Sequence, residues 1–199
     1  LFRDFLEDPR SLISTSQPRR ETIANISEQQ DTSTHRASDL ADIAGQAQAK
    51  YALEVAAAGR HHMLMIGPPG AGKTMLAQSL PSILPALSSD QAIAATAISS
   101  LWEPEGSVSQ LRSKPAFVDP HHHATTSAII GSGRAHAPPG AITQAHLGVL
   151  FLDEAPEFKR DTLEALRQPL ESGEVTIMRS GSVLRYPCDF QLVMAANPC

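Results

Sequence analysis

The stretch "GPPGAGKT", Gly67 to Thr74, constrains the fold of this chain more than any other. It follows the short apolar run "MLMI" and opens "KTMLAQSL", whose spacing predicts a helix. Strand, glycine turn, helix is the context in which the pattern G-x-x-x-x-G-K-[ST] cradles phosphate groups. Gly67, Pro68, Pro69, Gly70, Ala71 and Gly72 form the turn. Gly70 and Gly72 let the backbone point its N–H groups inward, and the helix start adds positive potential where an anion sits. Lys73 can then reach the terminal phosphates of a nucleotide, and Thr74 can offer its hydroxyl to Mg²⁺. The alternative, a chance match in a turn rich in Gly and Pro, is opposed by the strand before it and the helix after it.

A second run, "GVLFLDE", carries Asp153 to the end of an apolar strand. A carboxylate there costs several kcal/mol unless a cation compensates it, so its natural partner is the magnesium that Thr74 would hold. Glu154, one residue on, is the candidate base for an attacking water. Read alone, the two acids could equally cap a following helix. Asn197 ends a third apolar run, "FQLVMAAN". In an open parallel sheet ligands bind beyond the carboxyl ends of the strands, which puts Asn197 on the edge shared by Asp153 and the phosphate loop. Its alternative is an Asn-Pro turn starter.

The rest of the chain fits an α/β fold with a parallel central sheet covered on both faces. An Ala-rich helix is expected from about Gln46 to Ala58, ended by Gly59. "MLMIG" reads as a buried strand, and "SSDQAIAATAISSL" as a helix capped by Ser89 or Asp90. "KRDTLEALRQPL" has the spacing of one amphipathic helix, and "GEVTIMRSGSVLRYP" reads as a hairpin around Ser180-Gly181, with Cys188 as a strand residue. His61 and His62 precede the first strand and read as structural, at its exposed edge. Residues 1–37, rich in Ser, Thr, Gln and Arg, read as a linker or tail of a preceding domain, and residues 38–199 as one core domain.

At 199 residues with 42% hydrophobic content the chain can bury a sizeable core. Starting at Leu1 and stopping at Cys199 after Asn-Pro, it reads as a piece of a longer protein. No apolar run approaches the ~20 residues that span a bilayer, and no signal peptide is legible, so a cytoplasmic protein without membrane contact is expected. Two cysteines are too few for a disulfide framework. The net charge of −5 gives no overall basic footprint for nucleic acid, so any DNA contact must come from local loops or from assembly.

"GPPGAGKT", "GVLFLDE" and the Asn197 strand resemble an AAA+ ATPase, and "PHH", "GAITQAHLGVLFLDE", "LRQPLESGEVTIMR" and "NPC" resemble the ComM/YifB branch of the magnesium-chelatase-like AAA+ proteins. The resemblance covers about Asp39 to Cys199. It implies an αβα P-loop sandwich with a helix-two insert, a pre-sensor-1 hairpin at Gly181 and a helical lid beyond this chain, assembled as a hexameric ring. It implies ATP and Mg²⁺ as cofactors. Ile43, Gly45 and Gln46 would lie near the adenine, and Gly67 to Thr74 with Met75 would hold the phosphates. Thr74 and Asp153 would hold the metal, with Lys73, Glu154 and Asn197 catalytic. The chain departs from the pattern at Val118, at Ala141 and at His123, where the family commonly has Arg, Glu and a small hydroxyl residue.

The tract "DPHHHATTS" invites a metal-site reading, since neutral histidine is the commonest metal ligand. Apart from Asp119 no Cys or carboxylate cluster accompanies it, so His121 and His122 are expected instead to pack and hydrogen-bond at the base of the insert. Three functions stay open. One is a ring motor that moves DNA in branch migration during recombination of incoming DNA. Another is a motor for metal insertion of the magnesium-chelatase type, and the third is a nucleotide-switched scaffold. For the first, Arg112, Lys114, Arg134, Arg179 and Arg185 would form a positive collar around the pore once the ring assembles.

Overall fold

The computed structural model describes residues 39–102, 111–133, 138–179 and 182–198. The expected linker and the Ser180-Gly181 turn lie outside the described residues, as does Arg134. Four parallel strands form the central sheet: β1 (Met63–Ile66), β2 (Phe117–Val118), β3 (Val149–Leu152) and β6 (Gln191–Ala196), in the order β1-β6-β3-β2. The registers Leu150↔Leu192, Leu64↔Met194 and Val118↔Leu150 bring all four carboxyl ends to one edge.

β3 is buried on both faces, which is why it reads as an unbroken apolar run. Phe151 and Val149 face a cluster with Leu53 and Ala57 of α1 (Ala47–Gly59), Leu76, Ala77 and Leu80 of α2 (Lys73–Ile83), and Leu40 and Ile43. Leu80 is fully buried there, and truncating it to Ala would cost ~2–5 kcal/mol. β1 departs from expectation. Met63 and Met65 pack on the same cluster, but Leu64 and Ile66 are 52% and 66% exposed. Among the described residues β1 is an edge strand with β6 as its one strand neighbour, and the face that carries Leu64 and Ile66 is left open.

Local chemistry corrects several other sequence boundaries. Gly59 is the last helical residue of α1 rather than its terminator. The left-handed residue is Arg60 at φ 51°, whose N–H donates to the Ala56 and Ala57 carbonyls. A side chain at Gly59 would meet the imidazole of exposed His61, which would have to rotate aside. The helix α3 (Ser89–Ser99) is capped by Ser88, not by Ser89 or Asp90, since Ser88 and Gln91 exchange side-chain and backbone bonds in a capping box. The segment expected to be one helix is two, α6 (Arg160–Ala165) and α7 (Arg167–Ser172), meeting at Leu166. Pro169 has no N–H to continue the ladder across that junction.

The hairpin strands β4 (Glu174–Arg179) and β5 (Ser182–Pro187) pair antiparallel as a separate sheet, with Val175, Ile177 and Tyr186 buried. Cys188 is not in a strand. It is the first residue after β5, buried, with its amide on the Gly173 carbonyl, and burial first and the nearby acids Glu174 and Asp189 second push its thiol up to about 12. His62 is structural, accepting the Leu192 amide at Nδ1, while the His61 carbonyl accepts from the Gln191 side chain. Between β2 and β3 the chain forms two short helices, α4 (Thr126–Ile130) and α5 (Ala141–Gln144), and Gly131 pairs with Pro139 at their base. No helix among the described residues is long and apolar enough to cross a membrane.

Candidate functional site

At the carboxyl edge of the sheet the Gly67 amide donates to the Ala196 carbonyl, extending the β1–β6 pairing by one residue before the chain turns away. Gly70 and Gly72 both sit at φ 78°, the left-handed region that favours glycine. At Gly72 a Cβ would also lie 2.8 Å from Gln46 Nε2, so that the Gln46 side chain would have to shift. Gln46 itself donates to the Ala71 carbonyl at 3.1 Å and ties the residues before α1 to the loop. Around Gly70 the space is open, with no atom within 4 Å of where a Cβ would project.

Lys73 opens α2 and folds back across this loop. Its Nζ donates to the Gly67 carbonyl at 2.7 Å, the Pro68 carbonyl at 3.1 Å and Asn197 Oδ1 at 2.8 Å. A cation held only by neutral carbonyl and amide oxygens gains when an anion approaches. Thr74 Oγ1 donates to Asp153 Oδ2 at 2.6 Å, and the other Asp153 oxygen accepts the Glu154 amide at 2.9 Å. A hydroxyl and a carboxylate side by side are hard oxygen donors of the kind Mg²⁺ takes.

Glu154 stands at φ 51°, a left-handed value that a residue with a side chain adopts at a cost of ~1–2 kcal/mol. Such strain collects at sites where a side chain must be aimed. Here Glu154 Oε2 lies 3.1 Å from His122 Nδ1, with the carboxylate side chain half exposed. His122 is the residue that reasoning from sequence missed, having been expected only to pack and bond at the base of the insert. Its signal was position: β2 pairs with β3, so the residues just after β2 meet those just after β3.

The remaining expected residues are more scattered. Ile43 is buried in the α1–α2 cluster, Gly45 is exposed at φ 69°, and Met75 is half exposed in the first turn of α2. Pro68 and Pro69 are exposed. Arg112, Lys114 and Arg185 are exposed at some remove along the chain from the phosphate loop.

The family model "Magnesium chelatase, subunit ChlI" matches residues 39–199. The chain belongs to the magnesium-chelatase family. YifB of Escherichia coli is 51% identical to it, over 80% of this chain and 31% of that protein. Competence protein ComM of Haemophilus influenzae is 49% identical over the same shares. The chain thus spans about a third of the length of the curated relatives it matches. Among solved structures, a cryo-EM-based model of the complex between subunits BchI and BchD of magnesium chelatase aligns with a TM-score of 0.57 at 25% identity, covering 76% of this chain and 52% of that one. The parallel sheet, phosphate loop and two-acid strand are therefore those of an AAA+ protein of the magnesium-chelatase type.

Proposed function

We propose that this chain is the ATP-binding and hydrolysing core of a ring-forming motor, and that the motor drives DNA branch migration during recombination of incoming DNA. The observation that carries the enzymatic part is the convergence of Lys73, Thr74, Asp153, Glu154 and Asn197 on one sheet edge. In this reading the loop amides and Lys73 bind the phosphates, and the Lys73 ammonium exchanges its carbonyl partners for phosphate oxygens. Thr74 and Asp153 would hold Mg²⁺, which neutralises charge on the phosphates when bound. Glu154 accepts a proton from the attacking water, and Asn197 orients that water or the terminal phosphate. Both the ring and the DNA belong to the whole protein. The DNA reading draws support from 49% identity to a protein named for competence, and from the exposed cations Arg112, Lys114 and Arg185. The metal-insertion reading draws support from the likeness to the BchI–BchD structure of magnesium chelatase at 25% identity.

The test uses the whole protein that carries this chain. Lys73→Ala is expected to weaken ATP binding by roughly 10–100-fold, the worth of a charge-assisted hydrogen bond. Glu154→Gln is expected to bind ATP and fail to turn it over. Wild-type turnover in Glu154→Gln would remove Glu154 as the base. Single-stranded or branched DNA should raise the ATPase rate, and a rate indifferent to both would favour the metal-insertion reading.

A further inference from the structure

We propose that His121, His122 and His123, with Glu154 as fourth ligand, form a site for a borderline-soft divalent cation, best matched by Zn²⁺, and that filling it takes the Glu154 carboxylate out of service. The sequence lacked a closed ligand set here because it showed, apart from Asp119, no Cys or carboxylate beside the three imidazoles. Folding supplies one, since the β2–β3 pairing brings Glu154 Oε2 to 3.1 Å from His122 Nδ1.

The geometry suits a four-coordinate ion. Bonds of ~2.0–2.1 Å to nitrogen and oxygen at tetrahedral angles separate the ligand atoms by about 3.3 Å. The His122–Glu154 pair already stands close to that spacing. One ligand atom from each histidine lies within 4.8 Å of the others, and the ring centroids are 4.2, 4.3 and 5.2 Å apart. Bringing the three imidazoles to that spacing needs up to about 1.5 Å of movement, which rotation of the exposed His121 and His123 side chains can supply; Glu154 stands beside His122 but outside that group of three, and its half-exposed side chain must swing toward the other two.

The backbone there is held independently of the imidazoles, by the Ala124 amide on the His121 carbonyl at 2.8 Å. The one bond that rotation of His121 forfeits is the His123 amide to its Nδ1, at 3.2 Å and exposed, worth about 1 kcal/mol or less. Ligand chemistry separates this site from that of Mg²⁺. Imidazole nitrogens select zinc and its neighbours, whereas the Thr74 and Asp153 oxygens suit a hard ion.

Binding stands on the ligand set alone, and only its effect on turnover rests on Glu154 being the base. The experiment titrates the protein with Co²⁺ and then Zn²⁺ in competition, reading the visible cobalt bands and metal per chain, alongside ATP turnover in excess Mg²⁺. The variants are His123→Ser, which lies outside the hydrolytic machinery, and Glu154→Gln. One Zn²⁺ per chain is expected, with affinity falling at least about tenfold in His123→Ser and also falling in Glu154→Gln. Zinc should inhibit wild-type turnover over the concentration range in which it binds, with reversal by chelator. His123→Ser should turn over ATP at the wild-type rate and resist zinc. Equal zinc affinity in wild type and His123→Ser overturns the site, as does a near-ultraviolet thiolate band, which would assign the metal to cysteine. Zinc bound through the histidines without inhibition overturns the silencing of Glu154. Undiminished turnover in metal-free Glu154→Gln would instead defeat the hydrolytic reading, leaving the binding result to be judged by stoichiometry.

Discussion

Gly148→Ala is expected to damage both stability and catalysis through one strand pair. Gly148 is buried immediately before β3, beside Ala116 before β2, and a Cβ there would lie 2.2 Å from the Ala116 carbonyl oxygen and 2.6 Å from its nitrogen. An ordinary carbon–oxygen contact is about 3.3 Å, so the two backbones must part by about 1 Å. Both partners are backbone, and no side-chain rotation relieves the clash. The nearest casualty is the Val149 amide bond to the Ala116 carbonyl, now 2.8 Å, which would stretch beyond hydrogen-bonding range. Losing it and leaving its groups partly unpaired costs about 1–2 kcal/mol, and the residual strain of overpacking about 1–3 kcal/mol.

A total near 3 kcal/mol lowers Tm by roughly 6–12 °C for a chain of this size. Because β2 leads to His122, the same displacement should loosen its contact with Glu154 and lower ATP turnover more than ATP affinity. Thermal unfolding by circular dichroism, with nucleotide titration and turnover on the folded variant, tests this. A Tm within about 2 °C of wild type would refute the reasoning, because it would mean the strands separate at almost no cost.

Two further outcomes concern groups away from the site. Burial first of all, with Asp189 opposing and Arg60 assisting, lowers His146 to about 4, and its Nδ1 accepts the Asp189 amide at 3.1 Å. The unfolded chain therefore takes up this proton near pH 6.5 and the folded chain only near 4, so stability falls as pH drops through that window, by at most about 3 kcal/mol. Urea midpoints at several pH values should show the slope, and His146→Gln should flatten it; an unchanged slope would locate the proton elsewhere. Ser88→Ala should cost about 1 kcal/mol through loss of the capping box, while Ser89→Ala should cost far less. The reverse order in denaturant titrations would restore Ser89 as the cap.

What the sequence determined by itself was whatever a local run of residues can encode. Gly70, Gly72, Lys73 and Thr74 lie within five consecutive positions, and a strand before and a helix after leave such a loop little freedom, so its conformation was legible from spacing alone. Asp153 and Asn197 were readable because each ends an apolar run, and parallel strands deliver their ends to one edge. Tertiary structure decided matters that depend on partners distant in the chain. The exposure of Leu64 and Ile66 depends on what covers β1, which its own short run does not record. The junction at Leu166 turned on the missing amide of Pro169, a signal present in the sequence but outweighed there by apolar spacing. The meeting of His122 with Glu154 had no periodic signal at all, since β2 is only two residues long and shows no alternation to read. Its register comes from the backbone bonds it shares with β3, and only that pairing sets an imidazole against a carboxylate.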